Sequence, residues 1–127
     1  MRKTVTEIVE LIVSSYNSNT RSMDSEKPTR CMYNASSGRH CAFAIMVKDT
    51  TIFTSTLEGL GARQILNRLG TGILKDEFNG HNIEFYQDVQ HLHDNYRYWD
   101  DEGITKSGRE YADRIITTYE TPADVSV

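Results

Sequence analysis

The stretch NIEFYQDVQHLHDNYRYW, Asn82–Trp99, decides how the chain folds. Phe85, Val89, Leu92, Tyr96 and Trp99 recur at alternating steps of four and three residues, one continuous stripe on an α-helix. Glu84, Asp88, His91 and Asn95 take the opposite, polar side. The spacing predicts a helix over 82–99 that seats its aromatic stripe in a core. Core packing explains the aromatic content better than a base-stacking platform, because only Tyr98 leaves the stripe.

Downstream, Asp100 to Gly103 breaks the pattern, and Thr105–Glu120 reads as a last helix. Gly108, Tyr111, Ala112, Ile115, Ile116 and Tyr119 form its apolar face, and Ser107-x-x-Glu110 has the form of a capping signature. Pro122 closes it, leaving 122–127 as a frayed tail on a single globular domain, 1–121. Upstream, Leu60–Leu69 reads as a short helix stopped by Gly70 and Gly72. Ile73–Asn79 has no clear period, Asn79-Gly80 signals a turn, and Asp49–Thr56 suits a short strand or a loop.

Near the start, Thr4–Tyr16 reads as a helix. Thr4-x-x-Glu7 has the capping-box form, and Val5, Ile8, Val9, Ile12 and Tyr16 share a face. Asn17–Thr29 is polar and reads as a loop. Arg30–Val47 reads as a β-hairpin turning at Ala35–Arg39 with Gly38 left-handed. Alternation then puts Cys31, Tyr33, Cys41, Phe43 and Ile45 on the core face. Met32, Asn34, His40, Ala42 and Ala44 fall on the other face. The expected class is α+β: about four helices packed with one small antiparallel β-hairpin or sheet.

The chain has 127 residues, the size of one domain. Leu, Ile, Val and Phe make up about 22% of it, enough for a modest core. Lys plus Arg number 14 and Asp plus Glu 18, a net charge of −4. That balance argues against nucleic acid as the main partner, since phosphate binders usually show a basic excess. No apolar run approaches the ~20 residues of a membrane span. Glu7 and Glu10 interrupt any signal-peptide core behind Arg2 and Lys3. A soluble, cytoplasmic protein without membrane contact or cofactor is the expectation.

Cys31 and Cys41 are too few for the disulfide framework of a small secreted domain and read as reduced thiols. Their separation lacks the short spacing of zinc knuckles. If a metal is held, Cys31, Cys41 and His40 are the candidate ligands. His91 and His93 diverge by ~200° on a helix and cannot share one.

His93-Asp94 invites a general-base pair. Successive helical residues diverge by ~100°, so the expectation is that the two do not pair and that His93 is a core-edge histidine. Arg21, Arg30 and Arg39 flank the loop and hairpin, and folded back they would offer a cationic pocket for an anion. Solvated arginines are the plainer reading. There is no P-loop, dinucleotide loop, nucleophile elbow or HExxH motif. His40 and Cys41 would alternate across a strand and form no thiolate pair. The case for an enzyme is thin, and no catalytic residue is assigned.

A chain of short matches carries a resemblance. The pieces are Asn19-Thr20-Arg21, Cys31-Met32-Tyr33, Gly38-Arg39-His40-Cys41-Ala42, Phe85 through Asp94, Trp99, and Gly103 through Gly108. Together they resemble a group of small uncharacterised proteins of bacteriophages and bacteria, over about residues 17–119. Ser36-Ser37 departs from the Pro-Asp of that group's turn. The resemblance implies a small phage-type accessory protein that binds a host protein or complex, inhibition of a defence system being one example. Its candidate contacts are Arg21, Arg30, Arg39 and His40 around the hairpin, with Asp88, His91 and Tyr98 on the long helix. The alternatives are a sponge or sensor for a small anionic ligand such as a nucleotide, and a zinc-stabilised domain or metal-assisted hydrolase. A homodimer is also expected, since a helical stripe over a small core leaves surface for self-association.

Overall fold

Thr4 opens the first helix. Its hydroxyl oxygen accepts from the Glu7 amide at 3.1 Å, and Glu7 Oε1 accepts from the Thr4 amide at 2.8 Å. The capping box read from the sequence is therefore formed, and helix α1 runs Val5–Ser15, burying Val5, Ile8, Val9 and Ile12. The computed structural model describes residues 2–16, 42–52 and 60–120. The other α-helices among the described residues are α2, Ala62–Leu69; α3, Ile83–Asp94; and α4, Lys106–Glu120. Strands β1, Trp99–Asp100, and β2, Gly103–Ile104, form an antiparallel hairpin with Trp99 opposite Ile104. Among the described residues, four α-helices with one small antiparallel sheet make the fold α+β, as the sequence predicts.

The hairpin formed among the described residues, β1–β2, is not the one expected at Arg30–Val47. Residues 30–41 of the expected one lie outside the described residues, and 42–47 form a turn with a 3-10 segment at Ala44–Met46. Ala42, Phe43, Ala44, Met46 and Val47 are all buried, while Ile45 is only partly so. Two-faced alternation therefore fails: Ala42 and Ala44, expected on the far face, are as deep as Phe43. A short apolar run buried all round has no period that separates strand from turn. Val47 makes an antiparallel bridge to Leu74 instead. Around it the Lys48 amide donates to Ile73 O at 2.9 Å and the Lys75 amide to Met46 O at 2.8 Å. Ile73–Asn79 thus resolves into the bridge flanked by 3-10 turns at Thr71–Ile73 and Asp76–Phe78.

The helix predicted over 82–99 stops at Asp94. Asn95 Oδ1 accepts from the Arg97 amide at 3.0 Å and starts a 3-10 turn, Tyr96–Tyr98. A side-chain acceptor competes here with the helix for backbone donors and resets the phase. Tyr96, expected in the core stripe, is 65% exposed, and Tyr98, expected outside it, packs partly against the core. Trp99 stays buried because β1 carries it back, its Nε1–H donating to Leu92 O at 2.8 Å.

The helices are joined by polar side chains at their ends. Arg109 makes a two-pronged bond to the Glu10 carboxylate, and the Thr6 amide and hydroxyl donate to Glu120 Oε2 at 2.8 and 3.1 Å. These contacts set α1 antiparallel to α4 and place a carboxylate at the electropositive start of α1. The first amides of α2 have no partner in their own helix. Ala62 N–H donates instead to Gln90 Oε1 at 2.6 Å, and Arg63 N–H to Gln87 Oε1 at 3.0 Å, so α3 caps α2. Helix α4 is capped by Thr105, whose Oγ1 accepts from the Gly108 amide at 3.1 Å, rather than by Ser107. A Cβ on Gly108 would lie 2.5 Å from Tyr98 O, so only glycine lets α4 close on the 3-10 turn. No described helix is long and apolar enough to cross a membrane.

Candidate functional site

Asp88 and His91 stand one helical turn apart on α3, on the side away from its buried stripe. The Asn95 turn then brings Tyr98 back beside His91, with ring centroids 6.2 Å apart. Thr105 fastens the return: its amide donates to Tyr98 O at 2.8 Å and its hydroxyl to Arg97 O at 2.9 Å. Gly108 admits α4 at contact distance, which delivers Tyr111 onto Tyr98. Their rings stack with centroids 5.1 Å apart and 22° between planes. His91 leans on Tyr111 at 5.4 Å. The Arg114 guanidinium lies 5.7 Å from the Tyr111 centroid, one turn further along α4.

Beneath this group, Tyr119 donates its hydroxyl to Asp88 Oδ2 at 2.6 Å. Burial first, and then the Asp88 charge, pushes the Tyr111 hydroxyl up to about 12. Burial and the Asp88 hydrogen bond hold the Tyr119 hydroxyl well above the usual tyrosine range. Tyr98, Tyr111 and Tyr119 are half-buried, while His91 and Arg114 are exposed. Asp88 makes no ion pair among the described residues. Its neighbour one turn back, Glu84, is bound to Arg63 Nη1 at 2.8 Å.

A second arrangement overturns an expectation. His93 Nδ1 lies 2.7 Å from Asp94 Oδ1, so the adjacent residues do pair. Helix angles fix only the direction of Cβ, and Nδ1 lies close enough to the backbone for a neighbouring carboxylate at the helix end to reach it. The imidazole is fully buried, with the Tyr16 ring edge-on at 4.8 Å. An ionised carboxylate can only accept, so the pair holds the proton on Nδ1.

Of the residues singled out in the sequence, Asp88, His91 and Tyr98 come together. Arg21, Arg30, Arg39, His40, Cys31 and Cys41 lie outside the described residues. Exposed His91 and buried His93 occupy opposite sides of α3, as their spacing requires. Among the described residues no group of three or more His, Cys, Asp or Glu could hold a metal ion. Tyr111, Arg114 and Tyr119 complete the cluster and were not singled out as site residues. Tyrosine hydroxyls on an otherwise apolar face were the available signal, since each needs a polar partner or water. No protein-family model matches the chain, and neither a curated protein nor a solved structure does.

Proposed function

We propose that the chain is a non-enzymatic protein-binding module whose docking face is the α3–α4 surface around Tyr98 and Tyr111. The observation that carries the reading is their stacked, half-buried pair, flanked by exposed His91 and Arg114. Tyrosine and arginine dominate the energetics of protein interfaces, because each combines a large contact area with polar groups that orient it. Prior stacking holds both rings in place, so docking spends little side-chain entropy on them. Under the resemblance set out above, the partner is a host protein or complex, a defence system being the example, and the setting is the host cytoplasm. A sponge for a small anion is less well supported by this face, since the Asp88 charge acts on its tyrosines.

The test is capture by the tagged full-length chain from bacterial lysate, run beside the Tyr98→Ser/Tyr111→Ser double variant. A near-UV circular dichroism spectrum first establishes that the variant folds. A partner held by the wild type, lost by the variant and reconstituted one-to-one from purified protein supports the reading. Equal capture by both overturns it.

A further inference from the structure

The tyrosine face already holds one cation. Arg114 lies over Tyr111, yet it makes no ion pair among the described residues. Asp88 lies within the same cluster, half-buried and likewise without an ion pair among those residues. Its carboxylate has one oxygen engaged by a neutral hydroxyl, so its charge remains uncompensated by direct contact. A half-buried carboxylate beside electron-rich ring faces is a place of negative potential, and cations prefer it to water when the rings shed solvent. Glu84, the next acid on the α3 face, is paired with Arg63 and still adds to the negative charge felt by Tyr119.

From this geometry we infer that the partner enters the face with a cationic side chain, arginine or lysine, and that Arg114 is an intramolecular placeholder in its seat. The inference rests on the docking reading above and names the chemistry of what docks. Charge complementarity favours a basic segment, because the chain carries 18 acids against 14 bases and Asp88, bound to Tyr119, makes no ion pair among the described residues. An arginine has the added advantage of a flat guanidinium that stacks on a tyrosine and still offers N–H groups to a carboxylate.

The placeholder makes a prediction of unusual sign. Removing a surface arginine from a binding face normally weakens binding; here Arg114→Ala vacates the seat. The probe is an eight-residue peptide of alternating arginine and glycine, titrated into the full-length chain at low salt and followed by aromatic carbon–proton NMR. The expected result is saturable shifts confined to Tyr98, Tyr111, His91 and Tyr119. Arg114→Ala should tighten binding by roughly 2–5-fold, the strength of one exposed cation–π contact. Asp88→Asn should weaken it about 5-fold or more, the loss of a charge-assisted contact. A glutamate-glycine peptide of equal length should leave the rings unmoved.

Weaker binding by Arg114→Ala, equal response to the glutamate peptide, or shifts scattered over the surface would each overturn the inference. The two readings fail separately. If the arginine peptide leaves the rings unmoved while the serine double variant still loses its partner, the face docks a protein by other chemistry and only this inference falls. If the double variant keeps its partner, the docking reading falls and takes this inference with it.

Discussion

Tyr98 and Tyr111 reach their stack from different elements, across a contact that depends on a missing side chain. Tyr98 sits in a 3-10 turn, Tyr111 on α4, and the two rings meet at 5.1 Å because Gly108 lets the helix lie against Tyr98 O. The geometry of the face and the stability of the fold are therefore linked at one residue.

Gly108→Ala tests that link. A Cβ there would meet Tyr98 O at 2.5 Å and Ile104 Cγ1 at 2.6 Å. Alanine favours helix by ~1 kcal/mol over glycine, but overpacking costs ~1–3 kcal/mol and the nearest atom here is backbone. The expected net effect is a loss of about 1–2 kcal/mol. Thermal unfolding should show a Tm lower by roughly 3–10 °C. A raised Tm would contradict the packing described.

Trp99 is the only tryptophan and is buried, so its fluorescence reports the fold directly. Its Nε1–H fills the Leu92 carbonyl at the C-terminal end of α3. Trp99→Phe keeps an aromatic ring but leaves that carbonyl without this donor. A cost of about 1–3 kcal/mol is expected from urea denaturation, with the urea dependence unchanged. A variant as stable as the wild type would show that the bond contributes nothing.

Glu10 predicts the sign of an acid dependence. The Arg109 hydrogen bond holds the Glu10 carboxyl below its usual range. Its contribution is complete above the unfolded-state value, ~4.3, and is lost as pH falls through the lower folded value. Both side chains are more than a third exposed, so the pair is worth below ~1 kcal/mol. Glu10→Gln should lower stability slightly at pH 7 and flatten its fall below pH ~4.5. An unchanged acid limb in the variant would remove Glu10 from the account.

At the alkaline end, Tyr111 should ionise near pH 12. A folded value raised above the unfolded ~10 means stability is full below that pH and declines as pH climbs toward 12. Asp88→Asn removes a charge that opposes ionisation, so absorbance titration of the variant should show Tyr111 and Tyr119 ionising earlier. Coincident titration curves would mean that Asp88 does not act on the rings.

The parts of the fold carried by local signals were legible. The Thr4–Glu7 box, the 82–94 stripe and the apolar face of α4 each repeat within a few residues, and the structure keeps all three. The parts set by competition were not. Asn95 has the side chain to end a helix, but the stripe runs on through Tyr96 and Trp99, and periodicity does not count an acceptor that captures the Arg97 amide. That single bond moved Tyr96 out and Tyr98 in. The apolar run 42–47 looked like a strand because depth on all sides leaves no period to read. Two caps of α2 come from afar, from the Gln87 and Gln90 side chains of α3, more than 20 residues downstream. Half of the candidate face was visible as Asp88, His91 and Tyr98, which a turn gathers. Its other half arrives on α4 through Gly108, whose meaning is a distance between two elements and not a pattern in one.

The most direct measurement of the docking claim is the affinity of the reconstituted partner for single alanine variants of the face. Tyr98→Ala and Tyr111→Ala should each weaken binding about 30-fold or more, the signature of an interface hot spot. Lys48→Ala, on an exposed turn outside the face, should change it less than about 2-fold. Loss at Lys48 with both tyrosines neutral would place the interface elsewhere and contradict the account.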